Sequence, residues 1–166
     1  RLYALEQGTL ATAGTNTFDA LRRLDAMRTA KYEPANGAKY EDGDEFSEGL
    51  MNVARLINGD LGLEAASIDI GGWDSHFTQV TLIEPLLRKL AAGLTAFRTD
   101  LGKRMATTSV IVMTEFGRTI GENSSFGTDH GRGGVMFLMG GGIKGGRMHG
   151  RCDGLAPEKL ERRGFV

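Results

Sequence analysis

The feature that most constrains this chain is a run of four apolar residues, Val110 to Met113, that passes without a break into polar, glycine-rich sequence. Residues 110–134 read VIVMTEFGRTIGENSSFGTDHGRGG. A continuous, mostly β-branched apolar run is what a strand covered on both faces requires, and in open α/β sheets the carboxyl ends of such strands carry the ligand site. Thr114, Glu115, Gly117 and Arg118 follow the run at once, and Asp129 and His130 come later in the same stretch. The pattern predicts a buried strand delivering polar groups to a loop, with Glu115 and His130 converging at one sheet edge.

The elements before this run point to a parallel sheet. Ala65 to Ile70, AASIDI, is short, partly β-branched and flanked by glycines, which suits a strand emerging at Gly71-Gly72. A long helix is expected from Gln79 or Thr81 to Leu101, with Ile83, Leu87, Leu90, Leu94, Phe97 and Leu101 on one apolar stripe. Thr81 with Glu84 would form a capping box, Pro85 would fall in or beside the first turn, and Gly102-Lys103-Arg104 would stop the helix. Strand, helix, strand over Ala65 to Met113 is a βαβ unit, whose crossover joins parallel strands. Upstream, Thr17 is the expected N-cap of a helix over 17–30, Lys31 to Gly43 a loop, and Asp44 to Asn58 a second helix. Val135 to Met139 gives one more strand. Thirteen of the 25 glycines lie between Gly117 and Gly154, marking tight turns around the expected site.

Length and charge narrow the classes. At 166 residues the chain suits one domain with a sizeable core, here a helical lead-in (1–62), a βαβ core (63–150) and the start of a further element (151–166). A formal net charge of -1 gives no basic field for nucleic acid and no polybasic cluster for a membrane surface. No apolar run approaches the roughly 20 residues of a membrane span. The single cysteine, Cys152, cannot form an internal disulfide and leaves the redox compartment open. Arg1 in place of an initiator methionine, and an apolar ending at Phe165-Val166, read as cuts in a longer polypeptide.

Three short constellations could carry chemistry. In GGWDSH, residues 71–76, an extended backbone points Asp74 and His76 the same way, and a carboxylate with an imidazole suits zinc, manganese or iron. The alternative is that Asp74 caps the next helix and His76 lies in its first turn. In TEFGRT, residues 114–119, Glu115 at a strand end is a candidate ligand or base, and Arg118 could clamp an anionic oxygen through its planar fork. The alternative is a surface ion pair of little worth. In GTDHG, residues 127–131, His130 is the candidate ligand, while Asp129 would orient an imidazole or hold a second ion. Two of the three histidines lie within two residues of an aspartate in glycine-flanked loops. His149 is expected to decorate a turn, Trp73 to be a core aromatic, and GGGIKGG (140–146) lacks the Gly-Lys-Ser/Thr of a phosphate loop.

These motifs, with MGGGIKGG over 139–146, resemble a bacterial sulfatase-like family of unknown function within the alkaline phosphatase superfamily. The resemblance implies a three-layer, doubly wound, mostly parallel sheet, of which this chain would be the C-terminal part. It implies one or two divalent ions (zinc, manganese, magnesium or calcium) at the carboxyl edge, held by Asp74, His76, Glu115 and His130, with Asp129 behind them and Arg118 in a catalytic role. Phe116 stands where that superfamily usually has a histidine ligand, and its nucleophile would precede residue 1. The implied activity is metal-dependent hydrolysis of a small anionic phosphate or sulfate ester in the intact protein, with export to the periplasm. The alternatives are an inactive metal-binding or purely structural module with the same fold, and a cytoplasmic location.

Overall fold

The computed structural model describes residues 8–150 and 154–160. Its elements are α1 (Thr9–Thr29), a 3-10 turn (Ala35–Gly37), α2 (Glu45–Asn58), α3 (Gln79–Leu101), a 3-10 segment (Gly102–Thr107), β1 (Ser109–Val112), β2 (Gly117–Arg118), β3 (His130–Gly131), β4 (Phe137–Gly140) and a 3-10 turn (Pro157–Lys159). Cys152 and most of the expected terminal element fall outside the described residues.

The core lies between α2 and α3. Phe46, Leu50 and Ala54 of α2 form one buried cluster with Leu90, Phe97 and Leu101 of α3. Asp44 caps α2, its Oδ2 accepting from the Ser47 amide at 3.0 Å, and it also pairs with Lys89 of α3. The two helices approach closely because position 93 is glycine. A Cβ there would stand 2.6 Å from the Phe46 ring and 2.9 Å from Leu50. Both helices occupy the spans their periodicity predicts. Their details differ at α3, where Thr78 is the N-cap in a left-handed conformation without a side-chain hydrogen bond, so no Thr81–Glu84 box forms. Pro85 then falls beyond the first turn. α1 starts eight residues before the expected Thr17 cap, and the Thr17 hydroxyl instead donates back to the Ala13 carbonyl.

The expected doubly wound parallel sheet is not what the chain forms. The structure is 46% helical, and its strands make two small antiparallel pairs, β1 with β4 and β2 with β3. Ala65–Ile70 joins no ladder. Ile68 and Ile70 alternate toward the helical core as the pattern requires, but they pack through side chains while the backbone beside them forms no strand. Without that strand there is no βαβ crossover. Val110–Met113 is also not covered on both faces: Val110 and Val112 turn toward the core, whereas Ile111 stays 52% exposed. Its partner is the returning run, with Val110 opposite Met139 and Ile111 opposite Leu138. Gly140 and Gly141 permit that return, since a Cβ on either would strike the carbonyl of Thr108 or Ala106.

A buried carboxylate ties the helical half together. Asp100, 1% exposed near the end of α3, accepts from the Tyr32 hydroxyl at 2.9 Å, the Tyr40 hydroxyl at 3.0 Å, the Ala35 amide at 2.7 Å and the Asn58 amide group at 3.3 Å. Asn36 adds bonds to the carbonyls of Thr99 and Asp100. Burial, reinforced by the neighbouring Asp100 charge, pushes the Tyr32 phenol up to about 12, and burial with the same carboxylate raises Tyr40 further. Both phenols are thus held neutral as donors.

Two outcomes follow from this hub. Asp100→Ala strands several buried donors and is expected to cost about 3 kcal/mol or more, read as a lowered urea midpoint at unchanged slope. A midpoint within error of wild type would mean that the hub carries no stability. In a pH series, an unfolded tyrosine ionises near 10.0 while folded Tyr32 holds its proton to about 12. The unfolded state therefore binds fewer protons, and stability is expected to fall as pH rises through that window. Tyr32→Phe should flatten part of that fall.

Candidate metal centre

Three loops converge at one solvent-facing point. The β2–β3 pair sets Gly117 opposite Gly131 and Arg118 opposite His130. A second antiparallel bridge, Phe77 to Phe126, brings the segment after Trp73 against the same hairpin. The amides of Thr78 and Gln79 donate to the carbonyls of Ser125 and Phe126, and Thr128 donates its amide to the Ser75 carbonyl. Gly127 is required at this seam. A Cβ there would fall on the His76 carbonyl group.

Alternation along 74–76 behaves as the i, i+2 argument expects. Asp74 is exposed and His76 half-buried toward one point, while Ser75 between them is fully buried. Asp74 Oδ1 is the focus of the cluster. It receives the Arg118 Nη2 at 2.8 Å, faces His130 Nε2 at 3.0 Å and faces His76 Nε2 at 3.1 Å. On the far side of the His76 ring, Nδ1 lies 3.1 Å from Asp129 Oδ1. Asp74, His76 and His130 each offer a ligand atom, all within 4.8 Å of one another.

The supports of these groups are specific. Arg118, on β2, is only 17% exposed and spends its guanidinium on the Thr128 carbonyl (2.7 Å), the Trp73 carbonyl (2.8 Å) and Asp74. It therefore pins all three motifs together. Phe116 stacks on the His130 ring with centroids 4.2 Å apart, and Arg118 lies 4.9 Å from the Phe116 ring. Asn123 donates to the His76 carbonyl and to Asp129, and its Oδ1 accepts from the amides of Ser125 and Gly127. The hydrogen bond from His130, helped by Arg118, holds the Asp74 carboxyl below its usual range, and Asn123 with His76 does the same for Asp129. Both acids are thereby favoured in their ionised form.

Of the residues expected from sequence, Asp74, His76 and His130 come together, and Asp129 stands behind His76. Glu115 is exposed and outside the set that closes within 4.8 Å. Arg118 is at the site, engaged with its neighbours. His149 donates Nε2–H to the Lys144 carbonyl at 3.1 Å, a turn contact. Asn123 belongs to none of the three motifs. Its signal was the ENSSFG segment, where an asparagine two residues before a serine amide makes an Asx turn. Phe116 appeared as a gap in a ligand set, and the structure gives it a positioning contact.

Fold and site together define a helix-rich protein carrying a two-histidine, one-carboxylate cluster on paired loops. The chain belongs to the family described as Protein of unknown function (DUF1501), whose model matches residues 5–165. No sulfatase domain was found, and with the absence of a doubly wound sheet this overturns the alkaline phosphatase-like, sulfatase-like resemblance. No curated protein and no solved structure matches the chain.

The steric role of Gly127 is directly testable. Gly127→Ala should separate the seam, accelerating hydrogen exchange at the Thr78, Gln79 and Thr128 amides by at least about tenfold while amides of α2 keep wild-type protection. Equal protection in both proteins would mean that the backbone approach at His76 is not tight.

Proposed function

We propose that the protein is a divalent-metal-dependent hydrolase of small anionic esters, with Asp74, His76 and His130 as the metal ligands. The observation that carries the reading is the convergence of two Nε2 atoms and one carboxylate oxygen within 4.8 Å. Tetrahedral zinc with bonds of about 2.0–2.2 Å needs ligand atoms about 3.3–3.5 Å apart; the two imidazole nitrogens stand 3.0 and 3.1 Å from Asp74 Oδ1, and all three ligand atoms lie within 4.8 Å of one another. Asp129 fixes the His76 tautomer: by accepting the Nδ1 proton it leaves the Nε2 lone pair free to bind, the arrangement usual behind metal-bound imidazole. Nitrogen and oxygen donors together favour zinc, manganese or iron over magnesium and calcium.

Three protein ligands at an exposed site leave a coordination position open, the pattern of catalytic rather than structural metal sites. A bound ion there supplies an activated water and a Lewis acid for an ester oxygen. The chain's own residues do the rest. Asp129 and Asn123 orient His76, Phe116 and Arg118 orient His130 and Asp74, and a divalent charge against two carboxylates and Arg118 leaves the site net positive, which suits an anionic substrate. A second reading, a metal-binding module without turnover, is favoured by one observation: Arg118, the residue best placed to clamp a substrate, is already committed to Asp74 and two carbonyls.

Zinc titration of the protein and its single variants tests the ligand set. His130→Ala and His76→Ala should each weaken binding severely, Asp129→Asn by about 10- to 100-fold, and His149→Ala hardly at all. Tight binding retained in His130→Ala would refute the site. Turnover of phosphate and sulfate esters by the zinc-loaded protein, lost in Asp74→Ala, decides between hydrolase and binding module.

A further inference from the structure

Asn36 and Asn58 each precede a glycine, and both place their side chains at the Asp100 hub. Asparagine before glycine is chemically labile, because a residue without Cβ leaves its backbone nitrogen unhindered for attack on the preceding side-chain amide carbon. The structure holds the two pairs differently. Gly59 closes α2, its amide donating to the Arg55 carbonyl at 2.9 Å, and a Cβ there would meet the Met27 side chain at 2.9 Å. Asn58 itself is fixed by bonds to the Tyr32 hydroxyl and Asp100. Gly37, by contrast, is exposed, and apart from its chain neighbours nothing lies within 4 Å of where a Cβ would stand.

Asn36 acts as a latch. Its Nδ2 donates to the carbonyls of Thr99 at 3.0 Å and Asp100 at 3.3 Å, acceptors that the last turn of α3 leaves without helical partners. Gly102 makes room for it, since a Cβ at that position would stand 2.7 Å from Nδ2. The Asn36 backbone is held in the left-handed region at φ 55, ψ 22, in an exposed turn. One side-chain amide thus ties the connection between α1 and α2 to the end of α3.

We propose that Asn36 is a site of spontaneous deamidation, and that the acid it leaves releases this connection from α3. The Gly37 nitrogen bonds to Asn36 Cγ, the Cγ–Nδ2 bond breaks, and Nδ2 leaves as ammonia with the proton from Gly37. Water then opens the cyclic imide: addition at Cγ gives aspartate, and addition at the main-chain carbonyl carbon of residue 36 gives isoaspartate. No group is oxidised or reduced, and water is the only co-reactant. Closing the ring draws the side chain off both carbonyls, so the reaction proceeds from the locally opened turn. Its product cannot close the latch again. An ionised carboxylate only accepts hydrogen bonds, so an anion would face two carbonyl oxygens at the negative end of α3.

The test is incubation of the full chain at mildly alkaline pH, with aspartate and isoaspartate at positions 36 and 58 followed by peptide mapping. Relative to its own rate in urea, Asn36 should convert at least about tenfold faster than Asn58 in the folded chain. An Asn36 that stays intact while the urea-unfolded chain converts overturns the site, and so does equal conversion of the two asparagines in the folded chain. The release is read separately. Asn36→Asp should lower the urea midpoint at unchanged slope, and speed hydrogen exchange at the Ala35 amide, more than Asn36→Gly does. Glycine keeps the left-handed turn and removes the donor without adding a charge. A midpoint for Asn36→Asp equal to wild type, or no lower than that of Asn36→Gly, overturns the release.

Discussion

A carboxylate buried among neutral donors of the described residues organises the helical half of this protein. Removing Asp100 from water costs several kcal/mol before any compensation. What reaches it is a set of neutral donors: two phenols, one backbone amide and one side-chain amide. Hydrogen bonds to a charged acceptor contribute about 1.5–3 kcal/mol each, so several of them can offset the desolvation where one could not. The consequence is topological. Tyr32, Ala35 and Tyr40 come from the connection before α2, and Asn58 from its last turn, so satisfying one atom pair fixes the path of the chain around the end of α3. The hydrophobic contacts of Phe46, Leu50 and Phe97 pack within the same frame.

How much of this was legible in the sequence depended on which forces were local. α2 and α3 followed from apolar spacing, and Asp44 and Gly102 marked boundaries that the structure keeps, because caps and periodicity act within a few residues. Strand pairing is decided by partners far away. Ala65–Ile70 has a strand's composition, but its two isoleucines satisfy themselves against the helices, and Val110–Val112 takes its ladder from the run that returns at Phe137. A βαβ reading treats neighbouring elements in sequence as neighbouring strands, and here they are not. Asp100 was equally opaque, since an acid inside an apolar stripe looks like an ordinary surface residue until its donors are seen.

At the candidate metal centre the clustered residues were readable and their supports were not. Asp74 and His76 declare themselves through two-residue spacing, and His130 through its glycine-bounded loop. Arg118, Asn123 and Phe116 act through carbonyls, amides and a ring face that no motif specifies. Arg118 in particular reads from sequence as a substrate clamp, yet its planar fork satisfies two backbone carbonyls and the Asp74 carboxylate at once. Lysine could not replace those divergent bonds, so the residue type is explained by assembly alone.

The two halves of the molecule are held by different physics, and this bears on what an ion would do. The α2–α3 half rests on apolar burial. The loop half has few buried side chains among its described residues, and its segments, 73–79, 116–119 and 123–131, are joined by backbone bridges and by hydrogen bonds that converge on Asp74 and Asn123. Two imidazoles and an arginine aimed at one carboxylate oxygen bring three distant segments within reach of a single point, and a divalent ion placed there would cross-link the first and last of them directly. Metal binding energy becomes folding energy wherever the ligands are scattered in the unfolded chain. Asp74 and His130 are 56 residues apart, so an ion that bridges them would hold a long loop closed in the folded chain and stabilise that state through its binding energy.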